Sequence, residues 1–142
     1  MRYLTKYEIL RLNQLTVSCH GGHFVPPDNL LHLEAIEYLV ESVSADMYGE
    51  PLYPEVCDKA AVYLFNIISN HAFQDGNKRT VLAAALAFLT MNSYRLSDEL
   101  SPVNADGKLI PKEGKDHNDN LYRFTMAVAA GEVSLHVCRQ WF

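Results

Sequence analysis

A run of ten residues, 71–80, concentrates side chains that suit phosphate chemistry. It reads HAFQDGNKRT and places a histidine, a carboxylate, a glycine, an asparagine and two cations between two segments that are otherwise nearly all apolar. The helix predicted to begin near Lys78 would present unpaired N–H groups, and the positive end of its dipole, at Gly76 and Asn77. The sequence therefore predicts an anion site in this run, and phosphate is its natural occupant.

Three side chains of the run suggest separate tasks. His71 is the candidate general base, because a histidine can accept a proton from an attacking hydroxyl near neutral pH. Asp75 is a hard oxygen ligand, suited to a magnesium ion that keeps water and phosphate oxygens as its other ligands. Phe73 is expected to point inward as a structural anchor for the loop. His71 and Asp75 are therefore the residues predicted to take part in the chemistry, and Phe73 is predicted to be structural.

The four residues that follow are predicted to hold the phosphate. Gly76 allows left-handed backbone angles and close approach of a ligand, and the side chain of Asn77 can donate a hydrogen bond to a phosphate oxygen. Lys78 and Arg79 add charge-assisted donors. Each residue alone has an ordinary explanation, such as a helix cap, a turn or a solvated face. Their conjunction within ten residues favours the functional interpretation.

Two buried central helices, predicted over about 55–70 and 78–92, are expected to flank this loop, because apolar residues surround most of their circumference. Further helical stripes begin after Thr5, with Ile9, Leu12 and Leu15, and after Asp28, the latter continuing to about residues 48–49. Weak strand signals predict an all-α fold, a compact helical bundle forming one domain over 1–142. A polar stretch at about 97–120 is predicted to be an exposed insert.

The composition excludes several other classes of protein. A net charge of −5 without a dense basic run disfavours a nonspecific nucleic-acid surface, so no direct DNA contact is expected. The three cysteines are widely separated and lack CxxC spacing, which indicates neither a disulfide framework nor a zinc site. No apolar run is long enough for a membrane helix or a signal peptide. A cytoplasmic protein without membrane contact is therefore expected.

The run HAFQDGNKRT resembles the Fic/Doc signature HxFx(D/E)GNxRxxR in its first nine positions. Leu82 stands where the signature has its last arginine, and Lys78 stands where the adenylyl-transferring members usually have glycine. The string NKRT and the closing residues 129–134, AAGEVS, are similar to the Doc (death-on-curing) branch. Carried over by position, the resemblance implies a base at His71, an anchor at Phe73, a magnesium ligand at Asp75 and a phosphate site at Gly76, Asn77 and Arg79.

The resemblance also implies an activity and partners. Members of the Doc branch place the γ-phosphate over the loop and transfer a phosphoryl group from ATP, or another nucleoside triphosphate, to a translation factor, with Mg²⁺. We therefore expect a Doc-like kinase toxin of a bacterial toxin–antitoxin pair, restrained by an antitoxin protein. The alternatives are a Fic-type adenylyltransferase (AMPylation) and a noncatalytic interaction protein that keeps the fold. The loop 49–54 with Tyr48 takes the place of the family's flap, which makes Tyr48, Gly49 and Tyr53 candidates for docking the target protein.

Overall fold

The computed structural model describes residues 1–94, 103–105, 108–110 and 117–136. Within these ranges the elements are five helices and two antiparallel hairpins of very short strands. In chain order they are α1 (Lys6–His20), α2 (Leu33–Val43), β1 (Asp46–Met47), β2 (Glu50–Pro51), α3 (Val56–Ser69), α4 (Asn77–Met91), β3 (Val103–Ala105), β4 (Lys108–Ile110) and α5 (His117–Ala129). The predicted all-α class is confirmed.

The core is built around α3 and α4. Residues 60–64 of α3 are all buried, which requires neighbours on every side of the helix, and α3 packs against α2, α4 and α5. Helix α4 contacts α1, α3 and α5 and buries its own apolar and small residues, namely Val81, Ala84, Ala85, Phe88 and Leu89. The predicted pair of buried central helices is therefore confirmed, and its bounds differ from the predicted ones by one residue at each end.

Helix α1 begins as its sequence predicts. The Thr5 hydroxyl accepts a hydrogen bond from the Glu8 N–H at 3.2 Å, and the Glu8 carboxylate accepts one from the Thr5 N–H at 2.7 Å. This reciprocal pair satisfies N–H groups that the first turn of a helix leaves without partners. The capping box therefore fixes where the helix starts.

The buried face of α1 differs from the predicted one. Its buried residues are Ile9, Asn13 and Val17, spaced four residues apart, while Leu15 is 43% exposed. The prediction followed Ile9, Leu12 and Leu15 because an asparagine is not expected in a buried stripe. The buried face of α1 thus includes the amide of Asn13, which donates to the Asp75 carbonyl in the loop over residues 71–76.

The segment before α2 is irregular, whereas the sequence predicted a helix from Asp28 onward. The N–H groups of Leu31 and His32 both donate to the Ala72 carbonyl, at 2.9 and 3.1 Å. The backbone of this segment therefore bonds to the loop and not within a helix. Asn29 has a left-handed backbone, with φ of 59°. Helix α2 starts only at Leu33 and ends at Val43, and the predicted helical residues beyond it form the β1–β2 hairpin instead.

The predicted exposed insert at about 97–120 falls largely outside the described residues. Its described part contains β3, β4 and the first residues of α5, which begins at His117 rather than near Leu121. The placement of the whole of 1–142 in one domain stays a prediction. None of the helices in the described ranges is long and apolar enough to cross a bilayer.

Candidate active site

The loop that joins α3 to α4 begins with a sharp change of direction at His71. The His71 N–H donates to the Ile68 carbonyl at 3.2 Å, the Ala72 N–H donates to the Ile67 carbonyl at 3.3 Å, and His71 itself has φ of 46°. These bonds close the last turn of α3 and use carbonyls that the helix end leaves unpaired. The turn leaves the His71 side chain exposed on the surface of the loop.

Phe73 anchors the loop, and Asn77 closes it. The Phe73 ring is completely buried, and its backbone forms an isolated bridge with Leu30. The Asn77 side chain accepts a hydrogen bond from the Phe73 N–H at 3.0 Å and donates to the Phe73 carbonyl at 2.8 Å. Both ends of that amide are thus engaged by the protein itself, which revises the expectation that this side chain points at a phosphate. Asn77 instead contributes its backbone N–H to the site.

The start of α4 presents a row of amides. Gly76 precedes the helix in a left-handed conformation with φ of 77°, and the first bond into the helix runs from the Thr80 N–H to the Gly76 carbonyl at 2.9 Å. Within the described part of the chain, the backbone N–H groups of Asn77, Lys78 and Arg79 donate no hydrogen bond to the protein. Three successive unpaired donors at the positive end of a helix are suited to binding an anion.

The Asp75 carboxylate is held by two backbone donors. Its Oδ2 accepts from the His23 N–H at 2.8 Å and its Oδ1 accepts from the Gly76 N–H at 2.7 Å. These two bonds, the one from His23 first, hold the pKa of Asp75 below its ordinary value, and the nearby charge of Arg79 acts in the same direction. The carboxylate therefore stays ionised and exposed beside the amides.

A divalent ion fits this arrangement only in one mode. Asp75 is ionised and each of its oxygens accepts a single N–H bond, which leaves lone pairs for a metal. Among the described residues, no group of three His, Cys, Asp or Glu side chains could hold a metal by itself. A Mg²⁺ ion at Asp75 would therefore take its remaining ligands from water and from phosphate oxygens, which is the usual mode for this metal at nucleotide sites.

The two cations extend from the first turn of α4 into solvent. Lys78 and Arg79 are both exposed, and the Arg79 guanidinium reaches the His20 carbonyl at 3.5 Å, a distance that makes this a weak contact. Leu82, three residues after Arg79, packs against the apolar core. Positive charge is thus confined to the first turn of the helix.

A pocket of about 300 Å³ brings the predicted chemical residues together. It is lined by Ile68, His71, Gln74, Asp75, Gly76, Asn77, Lys78, Arg79 and Ala129. The imidazole, the carboxylate, the row of amides and both cations share this one surface depression, and Phe73 lies beneath it in the core. The arrangement can hold an anion at the amides while a base and an acidic metal ligand flank it.

The three residues predicted to dock a target protein separate into two kinds. Tyr48 and Gly49 form the turn of the β1–β2 hairpin, with φ of 53° and 82°, and the Tyr48 side chain is 99% exposed. Tyr53 is half-buried and packs against the core at the base of the hairpin. None of the three lines the pocket. Tyr53 is therefore placed as an anchor, and Tyr48 is the residue free to meet a partner.

Sequence reasoning missed the residues that support the loop from below and beside it. They are Asn13, Gly22, His23 and Asn29, and the structure brings each of them to the backbone or side chain of Asp75. A Cβ atom at Gly22 would lie 2.9 Å from Asp75 Oδ2, so only glycine allows this approach. The one signal in the sequence was the Gly21-Gly22 pair, which indicated only the end of a helix.

The chain is similar in sequence to proteins of one known family. The model of the Fic/DOC family matches residues 3–89, which include α1, α2, α3, the whole loop and all but the last two residues of α4. A protein named Toxin Doc from Mycolicibacterium smegmatis is 39% identical over 104 residues, covering 73% of this chain and 75% of that protein. A protein named Protein kinase doc from Escherichia phage P1 is 28% identical over 135 residues, covering 95% and 88%. The chain belongs to the Fic/DOC family, and its named relatives lie in the Doc branch.

Proposed function

We propose that this protein is a Doc-like toxin of a bacterial toxin–antitoxin pair, acting in the cytoplasm. It transfers a phosphoryl group from ATP, or another nucleoside triphosphate, to a hydroxyl of a target protein, and a translation factor is the class of target that the Doc resemblance favours. One observation carries the proposal: the His71 imidazole, the Asp75 carboxylate and the unpaired amides of residues 77–79 line a single pocket. The names of the two relatives support it.

The proposed reaction assigns a role to each of the chemical groups carried by the pocket residues. The γ-phosphate binds the amides of residues 77–79, with Lys78 and Arg79 as charge-assisted donors. His71 takes the proton of the target hydroxyl while the hydroxyl oxygen forms a bond to phosphorus, the bridging P–O bond breaks, and the nucleoside diphosphate leaves. A Mg²⁺ ion bound through Asp75 would neutralise charge on the phosphate oxygens.

The distribution of charge favours phosphoryl transfer over adenylyl transfer. Leu82 is apolar and packs against the core, and the pocket wall away from α4 is formed by Ile68 and Ala129. Within the described residues that line the pocket, no cation lies beyond the first turn of α4. Terminal phosphates carry most of the negative charge of a nucleotide, so they are best stabilised at the amides and cations of that first turn. The confinement of charge to that turn supports the γ-phosphorus, rather than the α-phosphorus, as the reacting atom of the proposed reaction.

The decisive experiment compares two labels. The purified protein is incubated with cell extract and Mg²⁺, together with ATP labelled at either the γ or the α position. Label should pass to protein from the γ position alone, and it should be lost with His71→Ala. Transfer from the α position alone would assign adenylyl transfer instead, and transfer from neither, with growth inhibition unchanged in His71→Ala, would assign a noncatalytic interaction protein.

A toxin of this kind requires a neutralising partner, and we propose a small antitoxin protein for that role. Expression of the chain alone should arrest growth, and expression of His71→Ala at the same level should not. Co-expression of a cognate antitoxin should restore growth. The antitoxin should co-purify with the wild type and with His71→Ala, because His71 serves as a base in the proposed reaction and does not stabilise the fold. Growth arrest by His71→Ala at the wild-type level would contradict the proposal.

A further inference from the structure

Two fully buried asparagines, Asn13 of α1 and Asn29 of the segment before α2, lie against the 71–76 loop and bond to its Asp75 carbonyl. The signature in the sequence does not include either of them. A buried amide is costly unless all its polar atoms find partners, and Asn13 has the apolar residues Ile9 and Val17 one turn away on the same face of α1. An apolar side chain would pack equally well on that face of α1. Packing therefore does not explain why amides are buried there.

The two amides form one saturated network with Thr80 and the backbone of the loop. Asn13 Nδ2 donates to the Asp75 carbonyl at 2.9 Å and to Thr80 Oγ1 at 3.0 Å. Asn29 Nδ2 donates to Asn13 Oδ1 at 3.0 Å and to the Asp75 carbonyl at 3.2 Å, and Asn29 Oδ1 accepts from the Val25 N–H at 2.9 Å. All four amide hydrogens are used, and the Asp75 carbonyl receives two donors.

This network sets the direction of the amides in the pocket. Because the peptide between Asp75 and Gly76 is planar and trans, a carbonyl drawn into the protein turns the Gly76 N–H outward, where it meets Asp75 Oδ1. The same peptide leads into the left-handed Gly76 and then into the first turn of α4, whose residues 77–79 line the pocket. The asparagines thus hold the one peptide that fixes the rest of the row.

Thr80 connects this network to α4. Its side chain is fully buried, its N–H makes the first helical bond, to the Gly76 carbonyl, and its hydroxyl oxygen accepts from Asn13. We propose that Asn13, Asn29 and Thr80 are positioning residues that hold the amides of 77–79 in the orientation that binds phosphate. This inference deepens the proposed function and rests on it for the identity of the anion.

The test uses Thr80→Val, which keeps the shape of the side chain and removes the acceptor for Asn13. Thr80→Ser keeps the hydroxyl and should rescue. The matched control is Thr125→Val: Thr125 is 2% exposed, and its hydroxyl donates to the Leu121 carbonyl at 2.8 Å within α5, so the control loses a buried hydrogen bond with no connection to the loop. Asn13→Asp is a second variant of equal size, which removes both hydrogens donated by Asn13.

Inorganic tripolyphosphate is titrated into each folded variant, and the backbone amide resonances of residues 76–79 are followed by NMR. Thr80→Val should weaken tripolyphosphate binding about tenfold and move these resonances in the free protein, while Thr80→Ser and Thr125→Val stay within about twofold of the wild type. Asn13→Asp should have a larger effect. Unchanged affinity and resonances in Thr80→Val, or equal weakening in Thr125→Val, would overturn the inference.

Kinetics separate this inference from the proposed function. If Thr80→Val weakens tripolyphosphate binding as expected but the wild type transfers no phosphoryl group, the network stands and the proposed reaction fails. If the wild type transfers a phosphoryl group and Thr80→Val does so with an unchanged KM for ATP, the reaction stands and the network inference fails. The expected pattern is a raised KM for ATP with a smaller change in kcat.

Discussion

The 71–76 loop and the β1–β2 hairpin both connect helices through polar residues, yet the fold treats them in opposite ways. The loop buries Phe73 completely and is bonded to α1, to the segment before α2 and to α4. Among the described residues, β1 and β2 pair with each other and with no other strand, and both residues of each strand are exposed. The loop is thus fixed by bonds to several elements, whereas the turn of the hairpin, at Tyr48 and Gly49, is exposed to solvent.

The difference indicates a division of labour. Groups that bind and react with a phosphate must be fixed before the ligand arrives, because reorganisation during the reaction costs rate. A segment that meets a large protein partner gains from edges and side chains that are still unpaired. Under the proposed function, the loop would serve the reaction and the hairpin would serve recognition of the target protein. Four substitutions probe this comparison.

The largest effect is expected on the reaction, from His71→Ala. Removal of a general base lowers kcat by about 10²- to 10⁴-fold, and because the imidazole is exposed the thermal unfolding midpoint should stay close to that of the wild type. Transfer of γ-phosphate to protein is measured under single-turnover conditions. The control is His32→Ala, whose imidazole pairs with Glu34 and does not line the pocket. A rate within a few fold of the wild type would remove His71 from the mechanism.

Phe73→Ala should cause the largest loss of stability. The ring is completely buried beneath the pocket, and truncation of such a side chain costs about 3–5 kcal/mol through lost burial and a cavity. Urea denaturation followed by circular dichroism gives the free energy of unfolding. Tyr48→Ala is the matched comparison and should change that free energy by less than about 0.5 kcal/mol, since its ring is 99% exposed. Similar losses for the two variants would erase the contrast between loop and hairpin.

Tyr48→Ala should affect recognition instead. We expect the KM for the target protein to rise roughly fivefold, as for loss of an aromatic contact at an interface, with the KM for ATP unchanged because Tyr48 does not line the pocket. The measurement uses the protein identified by γ-label transfer. Tyr38→Ala, which removes a 58% exposed ring from α2, is the control. A change confined to the KM for ATP would assign Tyr48 to the nucleotide side.

The smallest effect concerns pH and Asp75. Because the His23 and Gly76 N–H groups lower the pKa of Asp75 in the folded state, the ionised carboxylate stabilises the fold. That contribution is fully present above the ordinary pKa and is lost as pH falls through the lower folded value. The melting temperature of the wild type should therefore exceed that of Asp75→Asn by less than about 3 °C near neutral pH, and this difference should shrink below about pH 4. A difference that grows on acidification would reverse the assigned sign.

Much of the fold follows from its sequence. Continuous apolar residues defined α3 and α4 to within one residue, and the Thr5 capping box placed the start of α1, because both signals are local. The β1–β2 hairpin was not predictable, since strands of two residues show no alternation. The late start of α2 was hidden as well, because it depends on bonds from the segment before it to the distant Ala72 carbonyl.

In the site, too, features set by local sequence were predictable and features set by distant contacts were not. The types and spacing of residues 71–79 predicted which groups would gather, and the pocket gathers them. Their directions were not predictable: the Asn77 amide bonds to Phe73, and the supporting Asn13 and Asn29 lie 62 and 46 residues away from Asp75. A lone asparagine in a helical stripe carries no signal of burial, so only tertiary contacts identify it.

The close approach of Gly22 to Asp75 has a practical consequence for genetics. Gly22 has no side chain that could take part in chemistry, but any substitution there would strain a backbone with φ of 127° and push on Asp75 Oδ2, displacing it from the His23 N–H. If the protein is the toxin proposed above, random mutagenesis with selection for harmless variants would recover substitutions at position 22 as well as at 71 and 75. Such a selection by itself would suggest that Gly22 takes part in the reaction. The structure shows instead that its lack of a side chain makes room for the Asp75 carboxylate.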